Sequence, residues 1–305
     1  MTGRDTKGGD MTAGIAWRRR RLAAARSARA YLAQPPGVAG AAVLLLVLLV
    51  ALAAPLVVPP EQLSVVEATG GVLEPPSTAF PLGTDENGLS VLALTVTGTR
   101  ISLLVGVAAA VLSVVIGTVV GMTAAHFGGW LSAVLLRLTD FFLVLPSLVL
   151  AIVLSTVLER GVLTIIVAIG VTAWPSTARL VRAQTLTIEA RPFIERAQVL
   201  GGGHMHVLGR HVLPAVLPLV LASTTLAVGS AIVAESTLSF LGLGDPTTVS
   251  WGGMLKSALD SGAITAGAWW YLLPPGLAIV VVVLGFTLVG RALEIVVNPA
   301  LAGRR

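Results

Sequence analysis

From Gly37 to Val58 the chain carries no charged residue, and runs of this kind recur. Ile101–Ala125, Leu138–Leu158, Gly161–Ala178, Val212–Ala234 and Leu272–Gly290 are equally apolar, with Asp140 the single charge among them. A helix needs roughly 20 such residues to cross the ~30 Å hydrocarbon layer of a bilayer. In lipid, every backbone N–H and C=O must be paired within the element, so these runs are read as helices. The fold class is therefore an all-α integral membrane protein with six transmembrane helices. Composition agrees: 55% of residues are hydrophobic and 11% charged, where soluble domains carry about 25% charged residues.

The segments between the runs divide the chain. Residues 1–36 form a basic tail in which Trp17–Tyr31, with Arg18 to Arg21, Arg26 and Arg29, suits a helix lying on anionic lipid. Residues 37–58 are the first transmembrane helix, and 59–100 a polar, proline-rich segment holding five acids. Residues 101–299 form a five-helix core containing a polar loop, 189–214, and an outer-face element, 236–268. Residues 300–305 are a short tail. Gly117 and Gly121 make a small-xxx-small step, read as packing within this chain. Pro146 falls inside the third span, and Trp174-Pro175 is expected to kink the fourth.

Charge gives the orientation. Six spans place both tails on one side, with 17 of the 20 basic residues. The other side receives Arg100, Arg160 and Lys256 against eight acids. Loops rich in Lys and Arg stay in the cytoplasm, so both termini are expected there. The same rule accounts for the net charge of +5 without nucleic acid. The only lysines, Lys7 and Lys256, do not follow glycine. A phosphate-cradling P-loop requires a Gly-Lys pair, so this chain does not hydrolyse ATP by that route. No cysteine is present, which excludes disulfides and thiolate metal sites.

Glu189–Pro214 is a polar island between two apolar runs. Pro192 suits the first turn of a helix, which needs no N–H from that residue. Gly201, Gly202 and Gly203 then provide a helix stop. His204–Leu213 reads as a second short helix before Pro214 heads the next run. The pair makes a compact knob at the membrane face, of a shape that docks into a groove on a soluble partner.

Glu195-Arg196-Ala197, Gly201 and His211-Val212-Leu213-Pro214 resemble the cytoplasmic coupling loop, the EAA loop, of ABC importer permeases. That family has Ala where Arg196 stands. Two further stretches resemble its peptide/nickel branch. One runs from Phe80-Pro-Leu-Gly-Thr-Asp-Glu-Asn-Gly88 to Gly98-Thr99-Arg100, with Leu89-Ser90 replacing the usual Arg-Asp. The other is Ser236-Thr-Leu-Ser-Phe-Leu-Gly-Leu-Gly244 followed by Ser250-Trp251-Gly252-Gly253-Met254-Leu255. The resemblance covers about Phe80 to Pro299. It implies a type I ABC importer permease in the bacterial plasma membrane, transporting di- or oligopeptides, with nickel, glutathione or another small solute as alternative cargo. It implies a second homologous permease, one or two ABC ATPase subunits holding ATP and magnesium, and an extracytoplasmic substrate-binding protein. Glu195, Arg196, Ala197, Gly201, His211 and Pro214 would then couple ATPase closure to the membrane helices. A self-sufficient secondary transporter is the distant rival; it would show an inverted repeat around ion-coupling residues at the midplane.

Other residues carry two readings each. Asp140 and Glu235 are the acids nearest the membrane interior; they either line the pathway or pair at the bilayer edge, Asp140 with Arg137 one turn away. Lys256 and Asp260 are spaced to pair on a helix, and with Trp251 they are candidates for binding-protein contact. His204, His206 and His211 lack the fixed three- or four-ligand geometry of a metal site, so none is assigned.

Overall fold

The computed structural model describes residues 28–297, so most of the Trp17–Tyr31 segment and the 300–305 tail lie outside the described residues. Beyond the helical residues 28–32 and two short 3-10 turns, nine helices organise the described chain. They are α1 (Pro35–Val57), α2 (Val91–His126), α3 (Gly129–Val144), α4 (Ser147–Val157) and α5 (Val162–Glu189). After these come α6 (Pro192–Val199), α7 (His204–Phe240), α8 (Trp251–Asp260) and α9 (Trp269–Val297). Helices α1, α2, α5, α7 and α9 are each long and apolar enough to cross a membrane. The bent pair α3 and α4 makes a sixth crossing if counted as one span.

Three expectations change. The third span is broken rather than continuous: α3 and α4 meet at 89°. Leu145 is extended there, because the residue before a proline is forced out of the helical region, and Pro146 caps α4. Between the second and third apolar runs the chain is helical from Gly129 onward. The second and fourth spans exceed their apolar runs: α2 starts at Val91, where Ser90 caps it by accepting from the Ala93 N–H. Helix α5 runs through Pro175 to Glu189. Finally, His204–Leu213 is not a separate short helix. It continues into the fifth span through a π turn at Leu208–Val212, just ahead of Pro214, which has no N–H to give the ladder.

Helices α2 and α5 share the most extensive contact among the described residues. Gly117 and Gly121 lie against the α5 backbone: a Cβ on Gly117 would meet the Trp174 carbonyl at 2.7 Å, and one on Gly121 the Ala178 carbonyl at 2.5 Å. The small-residue step is thus packing within this chain. Helix α1 lies outside, held to α9 where Gly40 approaches the Gly285 carbonyl. Burial is concentrated in one large apolar cluster around Val105, Ile232 and Trp251, and a smaller one around Val181, Ile194 and Val212.

The segment before α2 is tightly built. The Thr84 hydroxyl donates to the Gly71 carbonyl (2.6 Å) and accepts from the Glu74 N–H (2.8 Å). Asp85 is buried and accepts from the Asn87 and Leu89 N–H groups. Burial raises the Asp85 carboxyl above the ordinary carboxylate range, against the opposing pull of those two N–H groups. A raised folded pKa contributes stability that is full below the unfolded value, ~3.9, and is lost as pH rises through the folded value. Asp85→Asn keeps an acceptor oxygen and removes the titration. Its melting temperature relative to wild type is expected to rise from about pH 4 to about pH 7. A constant difference across that range would refute this account.

Candidate functional site

The polar island folds as a knob with a buried root and an exposed tip. Pro192 opens α6, and Ile194 is inserted into the smaller core cluster beside Val181, Ile188 and Val207. The helix ends where Gly201 takes φ +86°, a conformation glycine adopts without strain. Gly202 and Gly203 do not share it. Glu195 and Arg196 are exposed, Ala197 is half-buried, and Val199, Leu200 and Met205 are 82%, 87% and 78% exposed. Three bulky apolar side chains in water beside a free acid and base form a patch that water alone does not favour. Phe193, Arg196, Leu200, Gly202, His206 and His211 line a hollow of about 540 Å³ between α6 and the start of α7. His211 lies edge-on to His206 and tilted beside Phe193, while Pro214 sits exposed one turn beyond the hollow. Among the described residues no group of three acids, histidines or cysteines is arranged to hold a metal.

Asp140 pairs with Arg179 of α5 at 2.7 Å, not with Arg137. Glu235 is 1% exposed and enclosed by serines. Its carboxylate accepts from the Ser239 hydroxyl at 2.8 Å and from Ser236 at 3.3 Å, with Ser102 and Ser250 beside it. Gly252 permits this closure, since a Cβ there would lie 2.3 Å from the Ser236 carbonyl. The Ser236–Gly244 and Ser250–Leu255 stretches are therefore the two faces of one joint between α7, α8 and α2.

Trp251 belongs to the same joint and does not reach the surface. It is 1% exposed, and its indole N–H donates to the Thr95 carbonyl at 3.0 Å. Lys256 and Asp260 do pair along α8 and remain accessible.

A cavity of about 600 Å³ lies at the bend between α3 and α4 and is walled by α2, α5 and α7. Small apolar side chains alternate there with hydroxyls of Ser113, Ser147, Thr172, Thr177, Ser223 and Ser230. Glu294 of α9 is the only charged residue lining it. Sequence reasoning missed Glu294, which looked like one more acid at the end of an apolar run.

Comparison with known proteins decides the family. Residues 113–303 match the family described as "Binding-protein-dependent transport system inner membrane component". The chain belongs to that family. Its members are transport components, and this one is a multi-pass protein of the bacterial plasma membrane. The inner membrane component is 37% identical to the oligopeptide transport system permease protein OppC of Bacillus subtilis, over 75% of this chain and 74% of that protein. It is 36% identical to the dipeptide transport system permease protein DppC of the same organism, over 74% and 71%. It is 33% identical to the glutathione transport system permease protein GsiD of Pectobacterium atrosepticum, over 75% of each. The all-helical bundle with five or six apolar spans agrees with the type I permease fold.

Proposed function

We propose that this chain is a permease subunit of an ATP-driven, binding-protein-dependent importer of di- or oligopeptides. The observation that carries the coupling part is the knob: an exposed apolar tip on a buried root, continuous with α7 and adjoining α5. The names of the oligopeptide and dipeptide relatives support the cargo, and the glutathione relative keeps that solute as the alternative. A second homologous permease completes the path around the cavity. ATP and magnesium sit in ATPase subunits beneath the knob, and a substrate-binding protein meets the opposite face near Lys256 and Asp260. The basic-residue count supports cytoplasmic termini and a cytoplasmic knob. ATPase closure carries the knob with it, tilts α5 and α7, and exposes the cavity alternately to the two sides. The driving free energy is the differential affinity of ATP for the two states.

Purification of the tagged chain in mild detergent tests this reading. The ATPase subunit is expected with wild type and is expected to fall at least about tenfold with Glu195→Arg plus Gly201→Pro, the loss of a central docking contact. Proline cannot adopt the positive φ of Gly201, so α6 loses its stop. A wild-type chain that purifies alone, from cells where it transports without an ATPase, would overturn the proposal.

A further inference from the structure

The knob is tied to the membrane helices by a set of titratable side chains that the coupling reading does not use. His126 is the last residue of α2, Glu189 the last of α5, and His204 the first of α7. His126 Nδ1 lies 2.5 Å from Glu189 Oε1, and His126 Nε2 lies 2.9 Å from His204 Nδ1. The His126 side chain is 4% exposed and that of Glu189 20%. Phe127 packs edge-on to His126 and tilted against His204. The titratable groups bonded to His126 are thus Glu189 from α5 and His204 from α7. Residues far apart in the chain meet at the point where the second arm of the knob leaves the bundle.

We propose that His126 is a positioning residue for coupling: through Glu189 and His204 it clamps the start of α7 to the ends of α2 and α5. The bearing of this clamp on transport rests on the proposed coupling role of the knob; the clamp itself does not. With Glu189 accepting from Nδ1–H, the His126–His204 bond needs one donor and one acceptor nitrogen. With either imidazole removed the bond is lost, and the root of the knob is released.

The chain has no native cysteine, so paired labels go only where they are placed. Met205→Cys on α7 and Val119→Cys on α2 are both exposed and report the separation of those helices by pulsed EPR, using the full chain in nanodiscs. A narrow distance distribution is expected at about pH 8. His126→Ala removes both bonds and should broaden at least about half of that population. His204→Ala, at an exposed position, should broaden it as well, through loss of the imidazole–imidazole bond alone. Glu189→Gln should broaden it to a lesser degree, because His126 loses its anionic anchor. A distribution as narrow as wild type in both His126→Ala and His204→Ala overturns the proposal. Failure of the ATPase to co-purify leaves this distance measurement untouched, so the two readings fail separately.

Discussion

Gly121→Leu is expected to separate α2 from α5 and to cost at least about 3 kcal/mol, the upper end for an overpacked core. The Cβ alone would lie 2.5 Å from the Ala178 carbonyl and 3.1 Å from the Arg182 nitrogen. Both are backbone atoms of a regular helix, which cannot yield locally as a side-chain tip would. Relief requires moving α5 bodily, and Gly117 one turn away resists that by its own contact with the Trp174 carbonyl. The Leu side chain adds volume to a seam already at native density. Gly276→Ala serves as the control. Its Cβ would meet nothing within 4 Å, and alanine gains roughly 0.5–1 kcal/mol of helix propensity over glycine. The melting temperature of the purified chain in mild detergent should therefore fall sharply for Gly121→Leu and hold or rise for Gly276→Ala. Equal melting temperatures for the two would remove the α2–α5 seam as the spine of the bundle.

The spans were legible because a bilayer demands uninterrupted apolar runs, and six runs stand out. Their ends were not, because helices continue into water where hydropathy gives no signal. Val91–Arg100 is broken by three threonines, a glycine and Arg100, yet it begins α2, and α5 continues past Arg179 and Arg182 as far as Glu189. The break at Pro146 had a local cause, but the unbroken apolar run around it hid the consequence. Within the candidate site, the knob could be read from Pro192 and Gly201, whose backbone preferences are local. The partners of His126 and Asp140 could not. His126 meets Glu189 across 63 positions, and Asp140 meets Arg179 across 39. Arg137 was the nearer choice along the helix, but packing put Arg179 of α5 within reach.

Glu235→Leu is expected to loosen the joint between α7 and α8 by about 2 kcal/mol, whereas Glu235→Gln should lose less than half as much. The carboxylate accepts from Ser239 and Ser236, and its surroundings include Ser102 of α2 and the α8 cap, Ser250. Leucine fills a similar volume but accepts nothing, and each buried hydroxyl left without its acceptor costs roughly 1–3 kcal/mol. Ser236 and Ser239 lie in a helix and can turn back to carbonyls one turn earlier, which limits their share of the loss. Glutamine keeps one acceptor oxygen for Ser239, the shorter of the two bonds. Trp251 reports the change, since it is buried at the same joint and fixed to Thr95 by its indole N–H. Trypsin cleavage after Lys256, half-exposed on α8, should accelerate markedly in Glu235→Leu and little in Glu235→Gln. A carboxylate that instead served the transport path would give the opposite pattern: unchanged cleavage in both variants and transport lost equally in both. The serine enclosure and 1% exposure favour the structural outcome, which makes the Ser236–Gly252 region a fastener between α7 and α8.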